Sequence, residues 1–250
     1  MRSRDLAWRL SGCLFFLGAW HIIALGSGTL AFATPLETLS AAATLLSREN
    51  FWLSGLLPTL YRVVAGFMLG GIVGGILGGW AGLYPGVGLF LLPLRWVLSS
   101  VPGVVLVILA MLWCGVGWSM VVAIVALTVI PTVYLAMQEG VAAIDGNLRE
   151  MARAYGISRR KRLTEIYLPA VSAPLLSACI VALGGGMRVA ILGETLGASQ
   201  GLGYTLAVAR SNLETTQLYA VALISMLLVS LIEMVFLRRL RKRLQGKVRA

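Results

Sequence analysis

Long apolar runs dominate the chain and decide what it can fold into. Six segments carry at most one charged side chain each: Leu10–Leu25, Leu56–Leu83, Val87–Trp113, Trp118–Met137, Pro169–Leu192 and Leu218–Leu237. Because a helix needs roughly 20 apolar residues to cross a bilayer, each run predicts one transmembrane helix. With 58% hydrophobic and only 12% charged residues, the 250-residue chain lacks the polar surface of a water-soluble fold. The sequence predicts an all-α polytopic membrane protein with about six spans and no large domain outside the membrane.

Basic residues are concentrated in three patches, which predict a topology. Sixteen of the 21 lysines and arginines lie at the start of the chain, between the fourth and fifth runs, or at the end: Arg2, Arg4 and Arg9; Arg149, Arg153, Arg159, Arg160, Lys161 and Arg162; Arg238, Arg239, Arg241, Lys242, Arg243, Lys247 and Arg249. The positive-inside rule places all three patches in the cytoplasm, with four spans between the first two and two between the last two. Both termini are therefore predicted inside, and residues 26–54 and 193–217 outside.

These patches also suggest how the chain is divided. Residues 1–55 are predicted to hold the first span and an external amphipathic segment that begins at Pro35, residues 56–237 a five-helix core, and residues 238–250 a basic cytoplasmic tail. Ala31-Phe32-Ala33 also fits a signal-peptide cleavage site. Retention of the segment is favoured because Ala33 lies far beyond the apolar run; cleavage would leave five spans.

The second apolar run carries a stripe of glycines. Gly66, Gly70, Gly74, Gly78 and Gly82 recur at every fourth position, with Gly71, Gly75 and Gly79 on the adjacent row. Small residues let helix backbones approach closely in a membrane, where lipid gives no hydrophobic drive to associate. Tight packing inside one subunit is the favoured interpretation, and a sliding or dimer surface is the alternative.

Few polar side chains interrupt the spans. Arg62 and Glu233 lie close to predicted span ends, where they can extend to water. Arg188 and Glu194 fall around the outer end of the fifth span, six residues apart, so they do not face each other on one helix. Two roles stay open for them: anchoring the external loop, which is favoured, or lining a transport path as an external gate.

The chain lacks the side chains that several other functions need. The spans hold no cluster of carboxylates or histidines of the kind found in ion-coupled carriers, and His21, the only histidine, lies on an apolar face. Cys13, Cys114 and Cys179 lie in apolar runs without metal-ligand spacing, so neither a metal site nor a disulfide framework is indicated. An enzyme that works in the membrane is disfavoured for the same reason.

The basic segment between the fourth and fifth spans, residues 145–169, contains residues typical of two short helices and a break between them. Leu148, Met151, Ala152 and Tyr155 share one face at helical spacing. Gly156 can adopt the left-handed conformation that ends a helix, and Ser158 can cap the next one. The segment is predicted to be a helix, a glycine break and a second helix, although charge alone would also fit an ordinary loop at the membrane surface.

This segment resembles the EAA loop of binding-protein-dependent ABC importer permeases. Residues with the expected spacing are Glu150, Ala152, Gly156, Ile166, Leu168 and Pro169. Met151 and Leu163 depart from the pattern, which favours alanine and an aromatic residue there, but both keep apolar character. The resemblance implies a type I importer permease whose loop, with Tyr155 on its docking face, couples the spans to an ATP-binding subunit.

Two further segments are similar to the nitrate, sulfonate, taurine and bicarbonate branch of that family. Residues 59–67, Thr-Leu-Tyr-Arg-Val-Val-Ala-Gly-Phe, resemble the opening of its second span. Residues 193–204 resemble its acidic residue followed by Gly-Leu-Gly-Tyr. The resemblance implies import of a small polar solute, such as one of these anions, across the bacterial inner membrane.

The resemblance also implies partners: a second copy of the chain, two ATP-binding cassette subunits and a solute-binding protein, with no role for nucleic acid. No GxxxxGK[ST] phosphate loop occurs in the sequence, so ATP and Mg²⁺ are expected on the separate ATP-binding chain, and this subunit is expected to bind no cofactor and to be no enzyme. The cations at 159–162 would contact either an acidic partner surface or lipid headgroups. A membrane scaffold that recruits a different partner through the basic loop is the alternative function.

Overall fold

The computed structural model describes residues 2–27 and 31–248, with side chains from Trp8 to Val235 except those of residues 9, 27–30 and 159. The side chains of the first and third basic patches and of Arg159 lie outside the described residues. Within those residues the chain is helical and contains no strand. Its helices are α1 (Arg2–Ser27), α2 (Pro35–Leu46), α3 (Leu57–Leu83), α4 (Pro85–Ser100), α5 (Gly103–Cys114), α6 (Trp118–Ala142), α7 (Gly146–Ala154), α8 (Arg159–Arg162), α9 (Leu168–Gly197), α10 (Leu202–Ser211) and α11 (Thr215–Val248).

Four helical stretches of the described chain are long and apolar enough to cross a membrane: Phe51–Leu83, Trp118–Ala142, Arg160–Gly197 and Thr215–Val235. The first and third begin with single π-helical turns, Phe51–Leu56 and Leu163–Tyr167, that run directly into α3 and α9. The apolar part of α1, Leu10–Gly26, is a shorter helix of 17 residues. The bent pair α4 and α5 passes the same test only when its two helices are taken together, so the described residues hold four candidate spans, or five with this pair.

The third apolar run does not form one continuous helix, because α4 and α5 meet at an angle of 105°. Val101 is extended, with φ −71° and ψ 124°. A residue that precedes proline is disfavoured in the helical region, and Pro102 has no N–H to continue the helix. The chain therefore breaks here, and α5 starts again at Gly103.

The glycine stripe of α3 packs on the backbone of α6. A Cβ atom on Gly66 would lie 2.7 Å from the carbonyl oxygen of Val122, and one on Gly74 would lie 2.6 Å from that of Ile130. The order of these contacts shows that α3 and α6 run parallel. Gly71, on the adjacent row, meets no atom within 4 Å. The stripe is therefore used for packing inside this subunit.

Helix directions define two ends of the molecule. Gly193 of α9 approaches Ile124 near the start of α6, and Gly140 near the end of α6 approaches Val171, so α9 is antiparallel to α6. Because α3 and α6 are parallel, the bent pair between them must return the chain to its starting side. We call the end that holds Ser54, Gly117, Gly197 and Gly201 the loop end, since backbone hydrogen bonds of 2.8 Å join Gly117 to Gly197 and Gly201 to Ser54. The opposite end, which carries α7 and α8, is the α7 end.

The segment that begins at Pro35 is a helix, as expected, and it starts with a complete capping box. Thr34 accepts a hydrogen bond from the backbone N–H of Glu37, whose carboxylate accepts one from the N–H of Thr34. Hydrogen bonding from Thr34 to this carboxylate, first from its backbone N–H and then from its side chain, holds the pKa of Glu37 below its usual value. The indole of Trp20 donates to the carbonyl oxygen of Ala33 and stacks on Tyr219, so α1 and α2 meet the start of α11.

Candidate coupling loop and intramembrane ion pairs

The loop at the α7 end folds as its sequence predicts. Asp145 caps α7 by accepting from the N–H of Asn147 at 2.9 Å. The helix ends at Gly156, whose φ is +64°, and the N–H of Ile157 reaches back to the carbonyl oxygen of Ala152 at 3.1 Å. This is the hydrogen-bond pattern of a Schellman cap, in which the left-handed residue is glycine because a side chain there is strained. The cap fixes the angle at which the chain leaves α7.

The apolar residues of the loop divide between two sides. Ala152 is fully buried, whereas Leu148, Met151 and Leu163 are exposed and Tyr155 keeps 80% of its surface exposed. The expectation that Ala152 shares one docking face with its neighbours is therefore wrong: its methyl group packs inward and the larger side chains point away. Glu150 is also exposed. A small segment outside the spans thus presents an unusually apolar surface.

The second half of the loop is continuous with a span. Ser158 accepts a hydrogen bond from the N–H of Lys161 at 3.4 Å, the capping role expected of it. From residue 160 the helical path continues through α8, the π turn and α9 to Gly197. Ile166 is half-buried in the π turn, while Leu168 and Pro169 are exposed in the first turn of α9. The second half of the loop and α9 therefore form one continuous helical stretch.

Near the loop end, Glu194 forms a buried ion pair with Arg62. Nη1 of Arg62 lies 2.7 Å from Oε1 of Glu194, and the two side chains are 6% and 0% exposed. The same guanidinium nitrogen donates to the carbonyl oxygen of Gln200 at 2.7 Å. Oε2 of Glu194 accepts from the hydroxyl of Thr59 at 2.7 Å and from the N–H of Gly203 at 3.1 Å. The carboxylate is thus satisfied on both oxygens.

The geometry corrects one expectation: Arg62 does not extend to water, because it is buried against Glu194. Glu194 also accepts a hydrogen bond from a loop amide, that of Gly203. The Gly-Leu-Gly sequence that follows is explained by this site. Gly201 has a φ of +113° and a Cβ there would overlap the Glu194 carboxylate, while a Cβ on Gly203 would overlap the carbonyl oxygen of Ile191. Both glycines let the loop fold down over the carboxylate.

A second ion pair lies deeper in the spans. Nη2 of Arg188 on α9 donates to Oε1 of Glu233 on α11 at 3.0 Å. A Cβ on Gly184 would overlap the same Glu233 oxygen, so the missing side chain makes room for the carboxylate. Arg188 lies nine residues before the end of α9, and Glu233 lies two residues before the end of the apolar stretch Thr215–Val235.

A cavity of about 680 Å³ opens beside the break between α4 and α5. Its walls come from α4, α5, α6 and α9. Most of its lining is apolar, and the polar side chains in it are Ser99, Thr128, Thr132, Glu139 and Ser177. The hydroxyl of Thr128 is turned back to the carbonyl oxygen of Ile124 at 2.8 Å. The cavity is wide enough for a small organic solute.

Sequence reasoning missed Thr59 and Glu233 as members of these sites. Thr59 was present in the segment that resembles the family's second span, and its spacing from Arg62 places both on one helix face, which was an available signal. No comparable signal marks Glu233, because its partner lies 45 residues away.

The bundle has a capped apolar loop at one end and paired polar groups within its spans. These features are typical of the class of multi-pass membrane transport subunits. The profile of the family described as "binding-protein-dependent transport system inner membrane component" matches residues 66–246. The chain belongs to this family, and it is a permease subunit of an ABC importer.

Relatives and solved structures agree with this membership. The chain is 33% identical over 187 residues to SsuC of Escherichia coli, named as an aliphatic sulfonates transport permease protein, with 75% of this chain and 71% of the relative covered. It is 24% identical to the taurine transport system permease protein TauC of the same species, over 98% and 94% of the two chains. The fold matches a chain of the inward-facing MetNI methionine ABC transporter with a TM-score of 0.63 at 20% identity, covering 78% of this chain and 98% of that one.

Proposed function

We propose that this permease subunit carries a small organic anion of the alkanesulfonate class, with ATP and Mg²⁺ bound by a separate ATP-binding subunit. The observation that supports coupling to such a subunit is the exposed apolar face of α7. The names of the sulfonate and taurine relatives support the solute class. Because the chain has no phosphate loop of its own, ATP hydrolysis belongs to the partner.

The coupling step follows from the loop. Met151 and Tyr155 enter a groove of the ATP-binding subunit, and closure of that subunit moves α7. The Gly156 cap transmits the direction of the movement, and the continuous helix from residue 160 carries it to α9. A difference in docking free energy between the two states of the spans performs the coupling.

The same proposal fixes the assembly and its orientation. The α7 end faces the cytoplasm, in agreement with the basic residues of its loop, and the loop end faces the solute-binding protein. Two copies of the chain form the pathway above two ATP-binding subunits in the bacterial inner membrane. Glu194 and Arg62 form a rigid part of the external gate, because they join α3, α9 and the loop before α10.

The proposal is tested on complexes co-purified with the ATP-binding subunits and reconstituted with the binding protein. Tyr155→Ser is expected to abolish stimulation of ATP hydrolysis by loaded binding protein, and Gly156→Val to uncouple the complex because valine opposes a positive φ. Tyr84→Ser is the matched control, since Tyr84 is 62% exposed at the same end of the molecule but lies outside the loop. Both variants should remain in the membrane.

Normal stimulation in Tyr155→Ser and Gly156→Val would contradict the proposed coupling surface. A wild-type complex that never hydrolyses ATP in response to a loaded binding protein would contradict importer function and favour a scaffold that recruits its partner for another purpose.

A further inference from the structure

The face of α9 that carries Arg188 is not explained by the coupling loop or by the Glu194 site. The side chain of Arg188 is 64% exposed and that of Glu233 is 33% exposed. A charged group that faces lipid inside a span is costly, so such groups line protein interiors or water-filled cavities. The face that holds Arg188 therefore does not face lipid in the assembled protein.

The position of Arg188 along its helix supports this. Arg188 precedes Gly197, the last residue of α9, by nine residues, which is about 14 Å along the helix axis. Gly184, which meets Glu233, lies one turn deeper. Arg188 thus lies within the depth of a hydrocarbon core of about 30 Å, away from the end of its span.

The face of Arg188 is continuous with the large cavity. Arg188 follows Ser177 by 11 residues and Val181 by seven, so the three side chains project from one side of α9. Ser177 and Val181 line the cavity. Between Val181 and Arg188 the same side holds Gly185, and the nearest atom to a Cβ there would be the Thr128 methyl carbon at 3.9 Å. No side chain of α9 separates Arg188 from the cavity.

The guanidinium has unused binding capacity. It carries five N–H groups in a planar fork, and among the described residues Glu233 is its one hydrogen-bond partner, through a single bond. Planar forks of this kind bind carboxylate, sulfonate and phosphate oxygens in pairs. Glu233 holds the charge with the end of a flexible side chain, a contact that another anion can replace.

We propose that Arg188 binds the anionic group of the solute during its passage, and that Glu233 is an internal counter-ion which this group displaces. The inference rests on the proposed function and adds the residue that recognises the anion. With Glu233 as competitor, the anion is bound weakly enough to leave again, as conduction requires. Glu139, which lies three residues before the end of α6, is the acid in the cavity lining and disfavours an anion at that end.

Uptake measurements on variants distinguish a role of Arg188 in binding the anion from a purely structural role of its ion pair with Glu233. The complex is reconstituted with its ATP-binding subunits and binding protein, and uptake of radiolabelled ethanesulfonate is measured below saturation. Arg188→Gln is expected to lower uptake by about tenfold or more, whereas Glu233→Gln, which removes the competing anion, is expected to raise uptake at this subsaturating concentration. Arg210→Gln, an exposed arginine in the last turn of α10, is the matched control.

The charge-swapped double variant, Arg188→Glu with Glu233→Arg, should stay inactive because the cation has moved to α11. Equal losses in Arg188→Gln and Glu233→Gln, with recovery in the swapped variant, would overturn the inference in favour of a structural pair. A wild-type complex that imports only a neutral or cationic solute would also overturn it and leave the importer function intact. A wild-type complex without ATP-dependent uptake of any solute would contradict the proposed function itself.

A second measurement does not depend on the identity of the solute. In a background without Cys13, Cys114 and Cys179, Val181→Cys is compared with Ile72→Cys on α3; the two positions are 67% and 60% exposed. Negatively charged sulfonatoethyl methanethiosulfonate should modify the cysteine at 181 about tenfold faster or more. Adding Arg188→Gln should slow this reaction but not the reaction with a trimethylammonium reagent. Equal rates at both positions, or no effect of Arg188→Gln, would overturn the inference.

Discussion

The two ion pairs of this protein use the same chemical groups in opposite ways. Arg62 and Glu194 are buried and joined by further bonds from Thr59, Gly203 and the Gln200 carbonyl oxygen. Arg188 and Glu233 share one bond of 3.0 Å, and both remain partly exposed. A buried pair held by several further bonds keeps three segments in one arrangement, whereas a partly open pair can exchange a partner. The comparison indicates a fixed site near the loop end and an exchangeable one farther from it.

The largest expected effect belongs to the buried pair. Glu194→Ala leaves the Arg62 guanidinium buried without its counter-charge, and breaking such a pair costs about 3–5 kcal/mol. Thermal unfolding of the detergent-solubilised complex should show a large loss, with Glu194→Gln less affected because it keeps the shape and part of the hydrogen bonding. Transport should fall more in Glu194→Ala, with little change in apparent solute affinity. Near-normal stability and transport in both variants would remove the distinction between the two pairs.

Alanine substitutions of the glycines beside the two ion pairs sharpen the comparison, and their expected effect on stability is of intermediate size. Gly203→Ala would drive a methyl group into the backbone carbonyl of Ile191, which cannot move without shifting the helix, so we expect a loss of about 1–3 kcal/mol. Gly184→Ala meets only the mobile end of Glu233, and alanine favours the helix by up to about 1 kcal/mol. Its stability should therefore stay close to the wild-type value while Glu233 is displaced from Arg188. Unfolding curves of the two variants, measured side by side, check this; equal losses would mean that the second pair is as rigid as the first.

The smallest expected effect on stability belongs to Glu37, an exposed carboxylate that serves as a reference for the carboxylates of the two ion pairs. Its pKa is lowered from 4.5 by the bonds from Thr34, so its contribution to folding is present above that pH and is lost as the pH falls through the lowered folded value. Glu37→Gln should remove this acid dependence and change stability less than Gly203→Ala. Unfolding curves between about pH 6 and about pH 3 measure it, with Glu49→Gln, an exposed acid between α2 and α3, as control. An unchanged acid profile in Glu37→Gln would show that the cap does not contribute.

Much of the loop and little of the ion-pair chemistry was predictable. Gly156 and Ser158 adopt the cap geometries that their sequence indicated, because caps depend on residues within one or two turns. The break at Val101 was also marked by Pro102, but the unbroken apolar run did not indicate a bend as large as 105°. Hydropathy reports that a segment belongs in the membrane, and it does not report whether the helix is continuous.

The sequence by itself determined that this chain lies in a membrane, that it is helical, and that it carries a loop similar to the EAA loop of importer permeases. Those properties follow from composition, local spacing and short motifs. Only the tertiary structure decided that Arg62 meets Glu194 across 132 residues and that Arg188 meets Glu233. The physical reason is that partners of buried charges are chosen by how helices pack against each other, and the glycines that permit this packing show their purpose only when the opposing atoms are in place.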